Sequence, residues 1–274
     1  MLARPALRIY PMTSLLQQLR SWRHGFWFGV SERVRWSRGI HHETPARELP
    51  APSREQAERI AALRARYQVQ FELSLNAKTS LNNYEYLDIL DRAWSGSGLP
   101  PVAGRGTLCD IGCASFWYAG SLQSFFRPDR LVGIDVEGHR LFRDGRSRID
   151  YANGYLAAIP GARFVVADYA NFQEPADLLT AWFPFLTPAA ILAWRLPLRL
   201  LAPERLFERI KQNLKADGLF VMVNHGVAEA ALAETLCVAA GLTQWVPFAP
   251  SVAAGPFSHH RLQPPLLSCW RHAP

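Results

Sequence analysis

The apolar positions of the chain change period three times. In the first stretch Met12, Leu15, Leu19, Trp22, Phe26 and Val30 fall within about 80° of one another at 100° per residue, the spacing of an amphipathic helix. Ser14 and Gln17 make a capping-box pattern at its start; Gly25 and Gly29 weaken it. His41 to Ser53, with Pro45, Pro50 and Pro52, reads as a linker. Ser53 and Gln56 make a second capping box and open a helix through about Phe71. Ser80 is the expected cap of a third helix, ending at Ala93 or Trp94 before Ser95-Gly96-Ser97-Gly98 and Pro100-Pro101.

From about Gly106 the period changes. Short apolar runs at Thr107–Ile111, Leu131–Ile134, Arg163–Ala167, Leu178–Phe183 and Leu219–Val223 alternate with segments of helical spacing. The clearest helix is Pro203–Lys215, with proline in its first turn and Asp217-Gly218 at its exit. This alternation implies a parallel, doubly wound sheet. After a helix over Val227–Ala240, with Gly241 behind it, two more runs follow at Thr243–Phe248 and Leu266–Trp270. No long helical segment separates them, so they are expected to be antiparallel at the end of the sheet. The predicted fold is α/β: a doubly wound, mostly parallel seven-stranded sheet with a terminal antiparallel pair and an N-terminal helical extension. The predicted divisions are a basic amphipathic arm (1–48), a helical extension or lid (49–101) and the α/β domain (102–274).

Composition narrows the class. Of 274 residues, 49% are apolar and 19% charged, which excludes a disordered or fibrous chain. The net charge of +7 is uneven: residues 1–48 carry eight Arg and three Glu, while the remainder is almost neutral. An arm of this kind suits its own domain, a partner or an acidic membrane surface. It also has the composition of an organelle transit peptide. No apolar run before a small-residue cleavage site marks a secretory signal, and the uncharged stretch Leu178–Trp194 is interrupted by Pro184 and Pro188, so it reads as core rather than membrane span. Cys109, Cys113, Cys237 and Cys269 include no CxxC pair, and His259-His260 has no Cys or carboxylate at ligand spacing. The expectation is a cytoplasmic, metal-free protein with free thiols, with peripheral membrane contact through the arm as an option.

The chemistry concentrates at the strand ends. Ligands of doubly wound sheets sit beyond the carboxyl ends of the strands. The first such end reads Asp110-Ile111-Gly112-Cys113-Ala114-Ser115, the second Gly133-Ile134-Asp135-Val136-Glu137 and the third Val166-Ala167-Asp168-Tyr169. A glycine after the first strand lets the backbone turn close to a ligand. An acid about 20 residues on suits a ribose diol, and a third carboxylate suits an exocyclic purine amine. Together they describe a pocket for a nucleoside with a cationic or zwitterionic tail.

Asp110-Ile111-Gly112, Asp135 and Asp168, followed by the terminal antiparallel pair, resemble the class I S-adenosylmethionine-dependent methyltransferases over roughly Gly106 to Trp270. The resemblance implies S-adenosyl-L-methionine as cofactor, with Asp110, Gly112 and Ala114 beside its methionine part. It places Asp135 or Glu137 on the ribose, Asp168 on the adenine amine and Tyr169 against the ring. The chain departs from the family's Asp/Glu-x-Gly-x-Gly-x-Gly loop by carrying Ala114 and Phe116 at the second and third glycines. The fourth strand ends in Phe183-Pro184-Phe185, without the Asn/Asp-Pro-Pro-aromatic pattern of DNA amino-methyltransferases; it is either an aromatic wall for substrate or core packing.

Candidate proton acceptors are His139, His225 and Tyr151. Arg140, Arg143, Arg146 and Arg148 around Asp150 form either an anion patch or a solvated face. Lys78, Asn82, Asn83 and Tyr84 make a candidate lid. The expected function is methyl transfer to a small-molecule or lipid-like acceptor. A non-catalytic binding module is the alternative, and a nucleic-acid methyltransferase ranks third.

Overall fold

The computed structural model describes residues 14–50, 53–97, 104, 106–246, 256–257 and 265–273. Met12, Gly98, Pro100-Pro101, Phe248 and His259-His260 lie outside the described residues. Three helices come first: α1 (Leu15–Val34), α2 (Arg54–Tyr67) and α3 (Ala77–Ser97). The first two begin at capping boxes built by Ser14 with Gln17 and by Ser53 with Gln56, where the sequence pattern places them. The cap of α3 is not Ser80, which is buried, but Asn76, whose side-chain oxygen accepts the Thr79 N–H at 2.9 Å.

The α/β part runs β1 (Thr107–Ile111), α4 (Ala119–Phe126), β2 (Arg130–Asp135), α5 (Arg148–Leu156), β3 (Ala162–Val166), β4 (Ala176–Trp182), α6 (Pro188–Ala193), α7 (Pro203–Asn213), β5 (Leu214–His225), α8 (Gly226–Ala239), β6 (Leu242–Val246) and β7 (Pro265–His272). The sheet order is β3-β2-β1-β4-β5-β7-β6. Strands β1 to β5 pair in parallel, and β7 inserts antiparallel between β5 and β6. The chain steps outward from β1 to β3 and then restarts at β4 on the other flank of β1. That reversal opens a crevice at the carboxyl end of β1. All five β1 residues are buried, as expected for a central strand covered on both faces. One face packs on α3 and α4 through Tyr86, Leu90, Trp94, Leu122 and Phe126; the other packs on α7 and α8 through Phe207, Ile210 and Leu236.

Three features of the first hundred residues go beyond the pattern in the sequence. Asn83 and Tyr84 are fully buried, and Asn83 donates to the Trp117 carbonyl at 2.9 Å. The start of α3 is therefore a fixed wall of the core, not a lid. The 41–50 part of the linker lies along the body: Ala46 and Arg47 N–H donate to the Leu75 and Glu72 carbonyls, and Glu43 accepts from Asn76 N–H and the hydroxyls of Thr79 and Tyr155. Finally, α1 turns its apolar stripe outward. Leu15, Leu19, Trp22 and Phe26 are 73%, 57%, 75% and 56% exposed. The face against the body is narrow instead. Gly25 sits beside Pro197, the Ser21 hydroxyl accepts the Leu198 N–H at 2.9 Å, and Phe28 packs against the cluster of Ile191, Leu192 and Leu196.

Candidate functional site

The loop after β1 carries positive φ at three alternate residues: +71° at Gly112, +52° at Ala114 and +54° at Phe116. These are the three glycine positions of the motif the loop resembles. The left-handed conformation is kept although two of them carry a Cβ, at about 1–2 kcal/mol of strain each. The loop is tied to β2 by Gly112 and Cys113 N–H, which donate to the Ile134 carbonyl at 2.8 and 3.2 Å, and by Ala114 N–H, which donates to Asp135 Oδ2 at 2.8 Å. Phe116 does not enter the crevice. Its ring is fully buried and lies over Gly133, edge-on to Tyr118. Gly112 is exposed, and nothing lies within 4 Å of where its Cβ would stand, so the backbone there is open to a ligand.

The acids at the strand ends have different surroundings. Asp110 is wholly buried, takes hydrogen bonds from the hydroxyls of Tyr118 (2.6 Å) and Thr180, and is pushed up to about 7 by burial. It fixes the loop from behind rather than facing a ligand, a correction to its expected contact with the cofactor. Asp135 accepts the backbone N–H of Ala114 and of Glu137. Buried Arg148 lies between the two acids, 3.5 Å from Asp135 and 2.8 Å from Glu137. Glu137 also meets Arg140 at 3.2 Å, and burial raises its carboxyl above the ordinary range. Asp168 is half-buried and accepts Ala170 N–H at 3.0 Å, starting the turn over Tyr169–Asn171. Tyr169 is corrected to a core residue: it is buried, packs beside Phe172, and its hydroxyl accepts from Asn213 at 3.3 Å.

The candidate bases separate. His139 lies just past β2, and its buried Nδ1 has no hydrogen-bond partner. His225, at the end of β5, stacks on Phe183 with ring centres 3.8 Å apart. Beside it, Asn224 is buried with an unpartnered Oδ1. Tyr151 is corrected to a docking residue. Its hydroxyl donates to Asp144 at 3.0 Å and its ring covers His41. Around it the chain from Trp36 to His41 is stapled to the start of α5: Ser37 Oγ and Arg38 N–H donate to the Asp150 carboxylate, and His41 N–H donates to the Asp150 carbonyl. A Cβ on Gly154 would collide with the His41 carbonyl, so glycine is required where the segment crosses α5. Three of the four clustered arginines face acids of this same region, Arg140 and Arg148 as above and Arg146 on Asp144. They form neither the anion patch nor the free surface that the sequence suggested.

One part of the site was not anticipated. Phe28 anchors α1 on the cluster of Ile191, Leu192 and Leu196, against which Val136, beyond β2, and Phe185, beyond β4, also pack. The helix thus roofs part of the strand-end edge and encloses, with Glu137, His139, Arg140 and Arg195, a cavity of about 490 Å³. The sequence signal was the line of Ser21, His24 and Phe28 opposite the apolar stripe, which reads as polar until its neighbours are known. Among the described residues no group of three His, Cys, Asp or Glu side chains could hold a metal ion, and the four cysteines are buried free thiols.

No protein-family model matches the chain, and no curated protein matches it. Solved structures do. A TehB-like SAM-dependent methyltransferase from Corynebacterium glutamicum is 21% identical, with 69% of this chain and 88% of that one covered and a TM-score of 0.43. A S-adenosylmethionine-dependent methyltransferase from Clostridium acetobutylicum is 9% identical over 80% of this chain and 99% of that one, TM-score 0.47. A precorrin-6y C5,15-methyltransferase from Geobacter metallireducens is 10% identical over 71% and 88%, TM-score 0.43. The strand order, with one antiparallel strand inserted beside β5, gives this chain the Rossmann-like fold of the class I S-adenosylmethionine-dependent methyltransferases.

Proposed function

We propose that the chain binds S-adenosyl-L-methionine at the carboxyl ends of β1–β3 and transfers its methyl group to a small-molecule or lipid-like acceptor. The observation that carries this reading is the loop after β1. It keeps the left-handed backbone at residues 112, 114 and 116 despite two side chains that disfavour it, and it leaves Gly112 open. Strain retained at a strand end is expected where the backbone shape serves a ligand.

The residues present fit the group. The open backbone at Gly112 receives the methionine part, Asp135 and Glu137 take the ribose, and Asp168 takes the adenine amine. The cofactor, when bound, supplies an electrophilic methyl on a sulfonium. What the protein adds is positioning, worth several orders of magnitude when the two reactants are held in line. His139 and His225 are the side chains placed to take a proton from an acceptor that carries one at neutral pH. Glu137→Gln is expected to weaken S-adenosylhomocysteine binding by about tenfold, the size of one charge-assisted hydrogen bond; unchanged affinity counts against the assignment.

A binding module without turnover is the second reading, favoured by Asp135, whose two oxygens already accept Ala114 and Glu137 N–H. Cofactor binding without loss of the methyl group to any acceptor in a cell extract would support it. Nucleic acid ranks lower, because Phe183-Pro184-Phe185 offers no amide or carboxylate to a base amine.

The outward face of α1 has a role of its own in this account. Exposed Leu15, Leu19, Trp22 and Phe26 share the helix with Arg20, Arg23 and Arg33, Arg35 caps its end, and Glu32 is the one acid of the helix. Apolar side chains with tryptophan and a surplus of arginine match an anionic membrane surface. No helix among the described residues is long and apolar enough to cross a membrane, so the contact is peripheral.

A further inference from the structure

The cavity under α1 has two kinds of wall. Trp27, Phe28, Val34 and Trp36 make an apolar side, and Arg23, Arg140 and Arg195 stand around the remainder with His24 and His139. Among the described residues no carboxylate pairs with Arg23 or Arg195. Arg140 shares Glu137 with Arg148, so that single carboxylate is covered by two guanidinium groups. Glu32 is the other nearby acid; burial raises its carboxyl, and the charges of His139 and Arg35 act against that rise. Burial first, then the charges of Arg23, Arg195, Arg20 and Arg140, hold His24 below the ordinary imidazole range. His139 adds a buried ring nitrogen with no partner. Arg23 and Arg195, without carboxylate partners and beside an aromatic wall, are arranged for a ligand with one anionic and one apolar end.

We infer that this cavity binds an amphiphilic anion, an apolar chain or ring system carrying a phosphate or carboxylate, with the acidic group between Arg23 and Arg195 and the apolar part against Trp27 and Trp36. As an acceptor site this rests on the methyl-transfer reading; as a binding site it stands without it. The volume of about 490 Å³ suits a chain of drug-like size.

The test is titration of the full-length protein with dodecyl phosphate below its micelle concentration, followed by calorimetry and by tryptophan fluorescence. Dodecanol and inorganic phosphate serve as comparison ligands. The expected result is saturable one-to-one binding of dodecyl phosphate, at least about tenfold tighter than dodecanol, and no saturable binding of inorganic phosphate alone. Arg23→Ala and Arg195→Ala change exposed side chains, so the fold is kept, and each is expected to weaken dodecyl phosphate about tenfold while leaving dodecanol unchanged. Arg195→Lys is expected to restore part of the loss. Equal affinity for dodecanol, indifference to both arginine variants, or saturable binding of inorganic phosphate alone would overturn the proposal. Each titration is run without cofactor. Failure of S-adenosylhomocysteine to bind therefore leaves this result standing, and failure here leaves the cofactor site untouched.

Discussion

The ring of Phe116 occupies the space that a side chain at residue 133 would need. A Cβ built on Gly133 comes to 2.3 Å from Phe116 Cδ1 and 2.9 Å from Cys113 Sγ. The motif that the loop resembles has a glycine where this chain has Phe116, and Gly133 on the neighbouring strand makes room for the ring. Asp110, opposite Gly133 in the β1–β2 register, is held by the same loop.

Gly133→Ala is therefore expected to destabilise the protein by about 1–3 kcal/mol through overpacking. The cost should shrink when Phe116→Ala is already present, although Phe116→Ala alone costs about 3–5 kcal/mol. Urea denaturation of both single variants and the double variant gives the coupling. Strictly additive costs would show that the two positions do not compete for space.

Ala114 behaves differently because its side chain fills no core. At φ +52°, Ala114→Gly relieves about 1–2 kcal/mol of backbone strain against a smaller entropic loss in the unfolded chain. The net expectation is a stabilisation of about 0.5 kcal/mol, read in the same denaturation assay. A clear destabilisation would mean that the loop is not left-handed at this residue.

Arg148 is a buried cation between two buried carboxylates, Asp135 and Glu137. Removing one partner from such a set costs about 3–5 kcal/mol. Arg148→Met should show that loss, and Asp135→Asn in the same chain should recover part of it, because Asp135 loses its ion-pair partner with Arg148 while Glu137 keeps Arg140. No recovery in the double variant would argue that Arg148 acts through packing alone.

Asp110 sets a pH dependence whose sign follows from its burial. Unfolded, its carboxyl loses a proton near pH ~4; folded, it holds the proton to about 7. The native state binds the extra proton between those values, so this contribution to stability is full at the acid end and is lost as pH rises through about 7. Asp110→Asn should flatten the fall in melting temperature between those two pH values. An identical slope in wild type and variant would place the titrating group elsewhere.

Co-sedimentation with vesicles tests the outer face of α1. Binding to vesicles containing phosphatidylglycerol is expected to weaken with added salt and to drop sharply for Leu19→Glu and Trp22→Glu. A stable dimer that these substitutions dissociate, without vesicle binding, would assign the face to a second copy instead.

The sequence made the sheet legible and left its edges open. Thr107–Ile111 matches β1 at both ends because a central parallel strand is a bounded apolar run. Strand β5 begins at Leu214, five residues before the apolar run, because Leu214 pairs with Ala176 ahead of an irregularity in β4. The polar stretch Lys215–Asp217 hides that pairing from periodicity. Helix α7 stops at Asn213 for the same kind of reason: its buried amide bonds the Phe172 carbonyl and Tyr169 hydroxyl, contacts with residues some 40 positions away. The stripe on α1 was visible, but not its direction. Ser21, Gly25 and Phe28 offer little apolar surface by themselves, and only the groove beside Pro197 and Val136 makes them the inward face. At the site, the order of acids along the strand ends was readable. Their partners were not, since Arg148, Tyr118 and Thr180 reach Asp135 and Asp110 only once the sheet is formed.

Calorimetric titration of the purified chain with S-adenosylhomocysteine tests the central claim most directly. Saturable one-to-one binding that weakens in Glu137→Gln is expected; no detectable binding at millimolar ligand would mean that the strand ends do not hold this cofactor.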